Sequence, residues 1–440
     1  METVDILITD GRVVTMDETD TIYENGAVAV AQGKIVAVGL TDELKKRFSG
    51  LRTISARNHI VMPGLINSHT HTAMTCFRGF ADDMELMTWW KEYIFPAETR
   101  TVSPELAYWG TTLACAEMIR SGTTTFCDMY FFMEETAQAA RKAGMRCLIG
   151  EVLLDFPSAN AKSPAEGLEY TRKLIEKWSG DPLVRIAVEP HSLYTCSENV
   201  LKEARALAVR YNVPVAIHFL ENQAEVKQLT EKYGKKAIHY LREIGFLHDN
   251  LILFHGVCMD DEDMLICADY GCKVVHNPES NMKLASGVAP VGKMLARGIT
   301  VALGTDGCAS NNNLDMFQEM DTAAKLAKVA ALDPTILPAP LVVRMATRNG
   351  ALTMGLEQAA GALEVGKRAD IILIDIRKPH LTPLYNEYSH LVYAVNGADV
   401  ETVIIDGRPV MEDGRLLTID EKEVMTRVNK IASQLRGSFS

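Results

Sequence analysis

Six side chains able to bind a cation or move a proton stand at the ends of apolar runs. They are His69 and His71 in "VMPGLINSHTHTAM", His218 in "VAIHFLEN", His255 in "LFHGV", His276 in "KVVHNPESN" and Asp306 in "VALGTDG". Residues two apart on a strand face the same side, so His69 and His71 project together if the strand continues through both. Two imidazoles on one face make half of the tetrahedral shell that zinc takes at ~2.0 to 2.1 Å. A hydrogen-bonded histidine pair near a loop explains the pair alone equally well. The other run ends tip that balance, because imidazoles and carboxylates buried without partners are costly.

The elements that must carry these residues alternate along residues 62–355, short apolar runs with helical patterns of spacing three and four, the signature of βα units and a parallel sheet. The strand candidates are "VMPGLINSH", "TTTFCDM", "RCLIGEVLL", "VRIAVEP", "VPVAIHF", "LILFHGV", "KVVHNP" and "TVALGTD". "SPELAYWGTTLACAEMIRS", "ENVLKEARALAVRYN" and "QAEVKQLTEKYGKKAIHYLREI" read as intervening helices, with start and stop residues at their ends. Eight βα units close a TIM barrel, whose strand C-termini converge at one mouth. Residues 1–61 and 356–440 read instead as short β-branched strands, the second segment ending in a helix. Turn signals fall at Asp10-Gly11, Gln32-Gly33, Asn396-Gly397 and Asp406-Gly407. A few-stranded sheet leaves an apolar face open, so the two end segments are expected to pair into one small β-sandwich domain beside the catalytic barrel.

Composition excludes several classes. Lys and Arg number 45 against 57 Asp and Glu, a net charge of −12 with no basic cluster, which argues against nucleic acid as a partner. No apolar stretch reaches the ~18 residues of a membrane span and the first residues lack a cleavable leader pattern, so a cytoplasmic protein without membrane partners is expected. The nine cysteines are scattered without a CxxC pair, indicating neither a disulfide framework nor a zinc knuckle.

"PGLINSHTHTAM", "LMTWWKEYIFPAE", "EPHSLYTCS", "IHFLEN", "VVHNPESNMKLASG", "LGTDGCASNNNLDMFQEM" and "LTPLYNEYSHLVYAV" together carry a resemblance that spans nearly the whole chain. The sequence resembles the amidohydrolase superfamily, and within it the deaminases of 5'-methylthioadenosine and S-adenosylhomocysteine. The resemblance implies that His69, His71, His218 and Asp306 ligate one divalent ion per subunit, usually zinc, with iron or manganese as alternatives. Binuclear relatives bridge their metals with a modified lysine after strand four, and "VRIAVEPHSLY" offers none there. The implied reaction is hydrolytic deamination of an adenine nucleoside at C6, by a homo-oligomer acting on a small-molecule nucleoside.

In that reading a catalytic zinc lowers the pKa of a water toward ~7. Asp306 would take the water's proton, Glu221 would protonate N1 of the ring and pass a proton to the departing amine, and His255 would polarise or orient the attacking water. Glu98 resembles the acceptor for ribose hydroxyls, His191 a second sugar or substituent contact, and Trp89 with Trp90, Met84 and Phe95 an apolar wall; an amphipathic helix packing inward is the plainer account of that wall. Relatives often place an Arg after strand three, where this chain has Gly150 and Glu151. That departure favours neutral substrates, 5'-methylthioadenosine, adenosine or 5'-deoxyadenosine, over S-adenosylhomocysteine. Triazine or guanine hydrolysis is the alternative on the same scaffold, and a non-catalytic assembly protein the remotest. His59, His239, His248, His380 and His390 read as structural or exposed, and His276 as a fixer of the loop beneath the substrate.

Overall fold

The computed structural model describes residues 1–437. Eight parallel strands form its centre: β1 (Leu65–Thr70), β2 (Thr123–Tyr130), β3 (Arg146–Leu153), β4 (Val184–Ile186, resumed at Glu189–Pro190), β5 (Val215–Phe219), β6 (Leu251–His255), β7 (Lys273–His276) and β8 (Val301–Leu303). Nearly every residue in them is buried, as continuous Val/Ile/Leu-rich runs require when both faces of a sheet are covered. β1 to β4 pair in one parallel sheet and β5 to β8 in another. Parallel bridges Val188 to Val215 and Ser192 to His218 join the two on one side. On the other, Asp306 N donates to His69 O at 2.9 Å, so the sheet closes into a barrel.

The helices between the strands begin and end where local chemistry dictates. Ser103 caps the helix Pro104–Arg120 by accepting from Leu106 N, and Ser197 caps Glu198–Tyr211 by accepting from Val200 N. "QAEVKQLTEKYGKKAIHYLREI", expected as one helix, is two, Gln223–Tyr233 and Ala237–Glu243. Gly234 ends the first with φ +66°, a left-handed stop that satisfies the last carbonyls.

The two terminal segments share one sheet of nine strands. Its central contact is His59–Pro63 running antiparallel to Ile371–Asp375, with Glu2–Val14 parallel to the other edge of His59–Pro63. Alternation along Ile371–Asp375 decides which layer each residue joins. Ile371 and Leu373 pack with Ile6, Ile8, Val28 and Val30, whereas Ile372 and Ile374 belong to the barrel's core.

Three local expectations change. "VMPGLINSH" is not one strand but two in different sheets, broken at Gly64, where a Cβ would lie 2.1 Å from Thr124 and only glycine lets the chain cross. Gln32-Gly33 and Asp406-Gly407 do make tight hairpins. Asp10-Gly11, however, is a bulge inside the strand Glu2–Val14, and Asn396 caps a 3-10 turn.

Barrel and terminal sheet are pinned by a buried ion pair. Arg146, at the start of β3, donates to Asp370 at 2.8 and 3.1 Å and to Pro182 O at 2.7 Å, with both charged side chains only 3% exposed. Asp370 also accepts from Asp406 N at 2.7 Å. Replacing Asp370 by Ala removes the main partner of a buried guanidinium, leaving it Asp406 at 3.5 Å and Pro182 O, a loss of up to about 3–5 kcal/mol. The loss should appear as a lower urea midpoint, and an unchanged midpoint would contradict it.

Candidate active site and metal centre

Asp306 follows β8 and is almost fully buried. One of its oxygens, Oδ1, lies 3.4 Å from His69 Nε2 and 3.2 Å from His71 Nε2 and accepts from Gly307 N at 2.8 Å. The other, Oδ2, accepts from Ser280 Oγ at 2.6 Å and Ser310 Oγ at 3.0 Å. Burial by itself would raise the carboxyl's pKa, but the hydrogen bonds and charges of His69 and His71 hold it well below the usual range.

Around this carboxylate the ligand atoms form two groups sharing His69: His69, His71 and Asp306, and His69, His218 and His255, each with all its ligand atoms within 4.8 Å of one another. Three imidazoles are fixed through Nδ1: His71 to Met129 O at 2.5 Å, His218 to His191 O at 2.9 Å and His255 to Asn281 Oδ1 at 2.9 Å. With the proton on Nδ1, the Nε2 of each neutral ring keeps its lone pair for a cation. His69 is fully buried, yet neither ring nitrogen makes a well-formed hydrogen bond, Nε2 only standing 3.4 Å from Asp306 Oδ1. An orphaned buried imidazole is rare unless a ligand completes it. Burial lowers the pKa of His69 to about 3 and that of His218 well below its ordinary value, leaving the neutral rings a metal needs. His71 moves the other way: burial opposes its protonation, yet Asp306 raises it to about 9. The carboxylate calls for a positive partner, and the nitrogen and oxygen donors gathered here fit a divalent cation.

Strand alternation does not bring His69 and His71 together. β1 ends at Thr70, and His71 leads into a 3-10 helix, Thr72–Phe77, so that a bend rather than strand alternation aims both rings at Asp306. Backbone strain accompanies the site. His255 and Asp306 hold φ of +71° and +63°, a conformation that costs a non-glycine residue of order 1–3 kcal/mol.

A cleft opens above these groups, lined by His71, His218, His255 and Asp306 at its floor and by Glu98, His191, Glu221 and Trp89 on its walls. Glu221 is buried, 3.9 Å from His255 Nε2, and burial raises its pKa. Glu98, in the helix Phe95–Thr101, accepts from Tyr130 Oη at 2.7 Å, and burial raises its carboxyl to about 7. His191 stacks on Trp90 with ring centroids 6.0 Å apart, while Trp89 begins a π-helical turn and donates to Ala81 O at 3.1 Å. The site residues expected from sequence thus meet at one mouth, except that His69 is buried behind the lining and Met84 lies outside it, Leu86 and Met87 standing there instead.

The amidohydrolase family model matches residues 60–410 of the chain. A 5-methylthioadenosine/S-adenosylhomocysteine deaminase of Syntrophus aciditrophicus is 63% identical over 100% of this chain and 99% of its own. A 5'-deoxyadenosine deaminase of Methanosarcina mazei is 44% identical over 98% of both chains. The crystal structure of an adenosine deaminase from Xanthomonas campestris with bound zinc superposes with a TM-score of 0.98 at 39% identity, covering 99% of each chain.

This chain belongs to the amidohydrolase family.

Several residues of this amidohydrolase's site escape sequence reasoning. Ser280 and Ser310 hold Asp306, Asn281 holds His255, Tyr130 holds Glu98, and Tyr194 lines the cleft. The signal available was hydroxyl and amide residues directly after strand ends, in "NPESN" and "GTDGCAS". His276 ends β7 and is buried, and its Nδ1 makes no hydrogen bond to the loop that follows. Glu151 turns away from the cleft, accepting from Met133 N at 3.1 Å and Asn160 Nδ2 at 3.0 Å. Among the described residues, no Lys or Arg lines the cleft.

The raised pKa of Glu98 has a definite sign. A carboxyl whose folded pKa is about 7, above its ordinary 4.5, contributes most below 4.5, and that contribution is lost as pH rises through about 7. Glu98→Gln should therefore show a shallower fall in Tm than the parent between pH 5 and pH 8; parallel Tm profiles would contradict the assignment.

Proposed function

We propose that this amidohydrolase hydrolyses the C6 amino group of an adenine nucleoside, releasing ammonia and the inosine product. 5'-Methylthioadenosine, 5'-deoxyadenosine, adenosine and S-adenosylhomocysteine are the candidate substrates. The observation that carries this reading is the meeting, in one cleft, of a metal-capable His/Asp cluster, a buried Glu221 beside it and a second buried carboxyl, Glu98, on the wall. The deaminase names borne by relatives at 44% and 63% identity support it.

His69, His71, His218 and Asp306 are assigned as ligands of one zinc ion per subunit, with iron or manganese as alternatives. Such an ion, when bound, supplies positive charge and an acidified water. The remaining work falls to the chain's own groups. Asp306, kept ionised by its histidine neighbours, accepts a proton from the attacking water. Burial raises the pKa of Glu221 and so favours its protonated form, which donates to ring N1 as C6 becomes tetrahedral. A proton from the water then reaches the amine, the C–N bond breaks, and ammonia leaves. His255, locked by Asn281, orients the water.

Glu98 suits the paired ribose hydroxyls, and His191 a further hydroxyl or the 5'-substituent, while Trp89 and its apolar neighbours exclude water from the base. We also assign residues 1–61 and 356–440 to one β-sandwich domain around the shared apolar layer of the terminal sheet, and 62–355 to the catalytic barrel. The strand His59–Pro63, which belongs to the terminal sheet, supports a boundary there. A homo-oligomer in the cytoplasm is the assigned setting; among the described residues no helix is long and apolar enough to cross a membrane.

Loss of adenine-band absorbance, followed across the four nucleosides, guanine and a chlorotriazine, tests the reaction. Chelation should abolish turnover and added zinc restore it; deamination that persists after chelation would sink the mechanism. Glu221→Gln should lower kcat by about two to four powers of ten at unchanged zinc content, the span general acid catalysis supplies. Native turnover in that variant would remove Glu221 from its role.

A further inference from the structure

We propose that Asp128, at the C-terminal end of β2, is a positioning residue that builds the bend presenting His71 to the metal centre. The inference rests on the assignment of His71 as a ligand.

The bend needs such a device because the β1–β2 ladder fails there. Asn67 pairs with Phe126, but the next pairing is Thr70 with Asp128, so β1 carries one residue more than β2 over the same span. A bulge of this kind leaves the ladder locally broken and re-aims the side chains beyond it. Asp128 closes the gap with its carboxylate. Its Oδ1 accepts from Thr72 N at 2.5 Å and lies 2.9 Å from Thr70 Oγ1, and its Oδ2 accepts from Thr72 Oγ1 at 2.7 Å. Thr70 and Thr72 flank His71. One buried carboxylate therefore holds the backbone amide that follows the proposed ligand and stands against the hydroxyl of the residue before it.

Two further contacts make the grip directional. His71 Nδ1 donates to the carbonyl of Met129, the residue after Asp128, at 2.5 Å, so the same strand end that holds the bend also turns the ring. Thr72 Oγ1 is 2.9 Å from Thr111 Oγ1, which is 3.2 Å from Thr136 Oγ1, a chain of hydroxyls that supplies Thr72 with a donor and leaves its own proton for Asp128. Charged acceptors bind backbone amides more strongly than neutral ones, which explains an aspartate here rather than an asparagine. Asp128 is not itself in the cleft lining, and its hydrogen bonds run to Thr70 and Thr72 on either side of His71, so its effect on the centre passes through that bend.

The readout is zinc affinity of the full chain, measured by competition with a chromophoric chelator, beside kcat at saturating zinc. Asp128→Ala should weaken zinc binding by about 10–100-fold, the usual effect of losing a group that orients a ligand. Asp128→Asn, which keeps one acceptor oxygen, should fall between the two. Saturating zinc should return most of kcat in both variants. His71→Ala serves as the reference. If it binds zinc as the parent does, the ligand assignment fails; if it loses zinc while a folded Asp128→Ala retains parental affinity, the positioning role is overturned. Should Asp128→Ala fail to fold, Thr72→Val removes one arm of the grip alone, and parental zinc affinity in that variant overturns the proposal equally.

Discussion

A carboxylate buried among imidazoles governs this molecule. Asp306 stays ionised only because His69 and His71 stand against one oxygen and two serine hydroxyls against the other. In a low-dielectric interior such a charge demands a positive partner. Barrel closure itself runs through the same place, since the backbone N–H of Asp306 bonds the carbonyl of His69 where the last strand meets the first. The electrostatics of the centre and the integrity of the fold are therefore one constraint.

That constraint explains why so many residues around the centre are spent on orientation. Met129, His191 and Asn281 each accept from or bond a histidine Nδ1, leaving Nε2 directed inward. Left-handed backbone at His255 and Asp306 costs energy that the surrounding barrel offsets by packing both strand ends tightly. Glu225 adds a further tie, accepting from the backbone of Leu220 and Glu221 at 3.2 and 2.7 Å and so fixing the turn that carries Glu221 into the cleft.

The upper cleft follows different physics. Its polar groups are few, and the apolar side chains Trp89, Trp90, Phe95, Phe131 and Leu154 make up much of the wall. Such a lining suits an aromatic, largely apolar occupant. Burial keeps Glu98 and Glu221 inclined toward their neutral forms, while Asp306 a short distance away is pushed toward its charge. Three carboxyls in one cleft thus differ in proton affinity through environment alone.

Apolar runs of the right length were enough to read most of the barrel strands, because burial on both faces leaves a mark in composition, and the runs among them that close on His or Asp drew attention to His69, His71, His218, His255 and Asp306. Other features depend on neighbours far along the chain. Gly64 splits the opening strand because Thr124 stands over it. His71 points inward because Asp128 and Met129, on the next strand, hold a bulge that no local pattern announces. Asn281, Ser280 and Tyr130 take their roles from partners 26 to 32 residues away in sequence. The sequence by itself determined which side chains could do chemistry and the strands that carry them; tertiary structure alone decided their aim, since hydrogen bonds between distant segments set direction and leave no periodic trace in one chain.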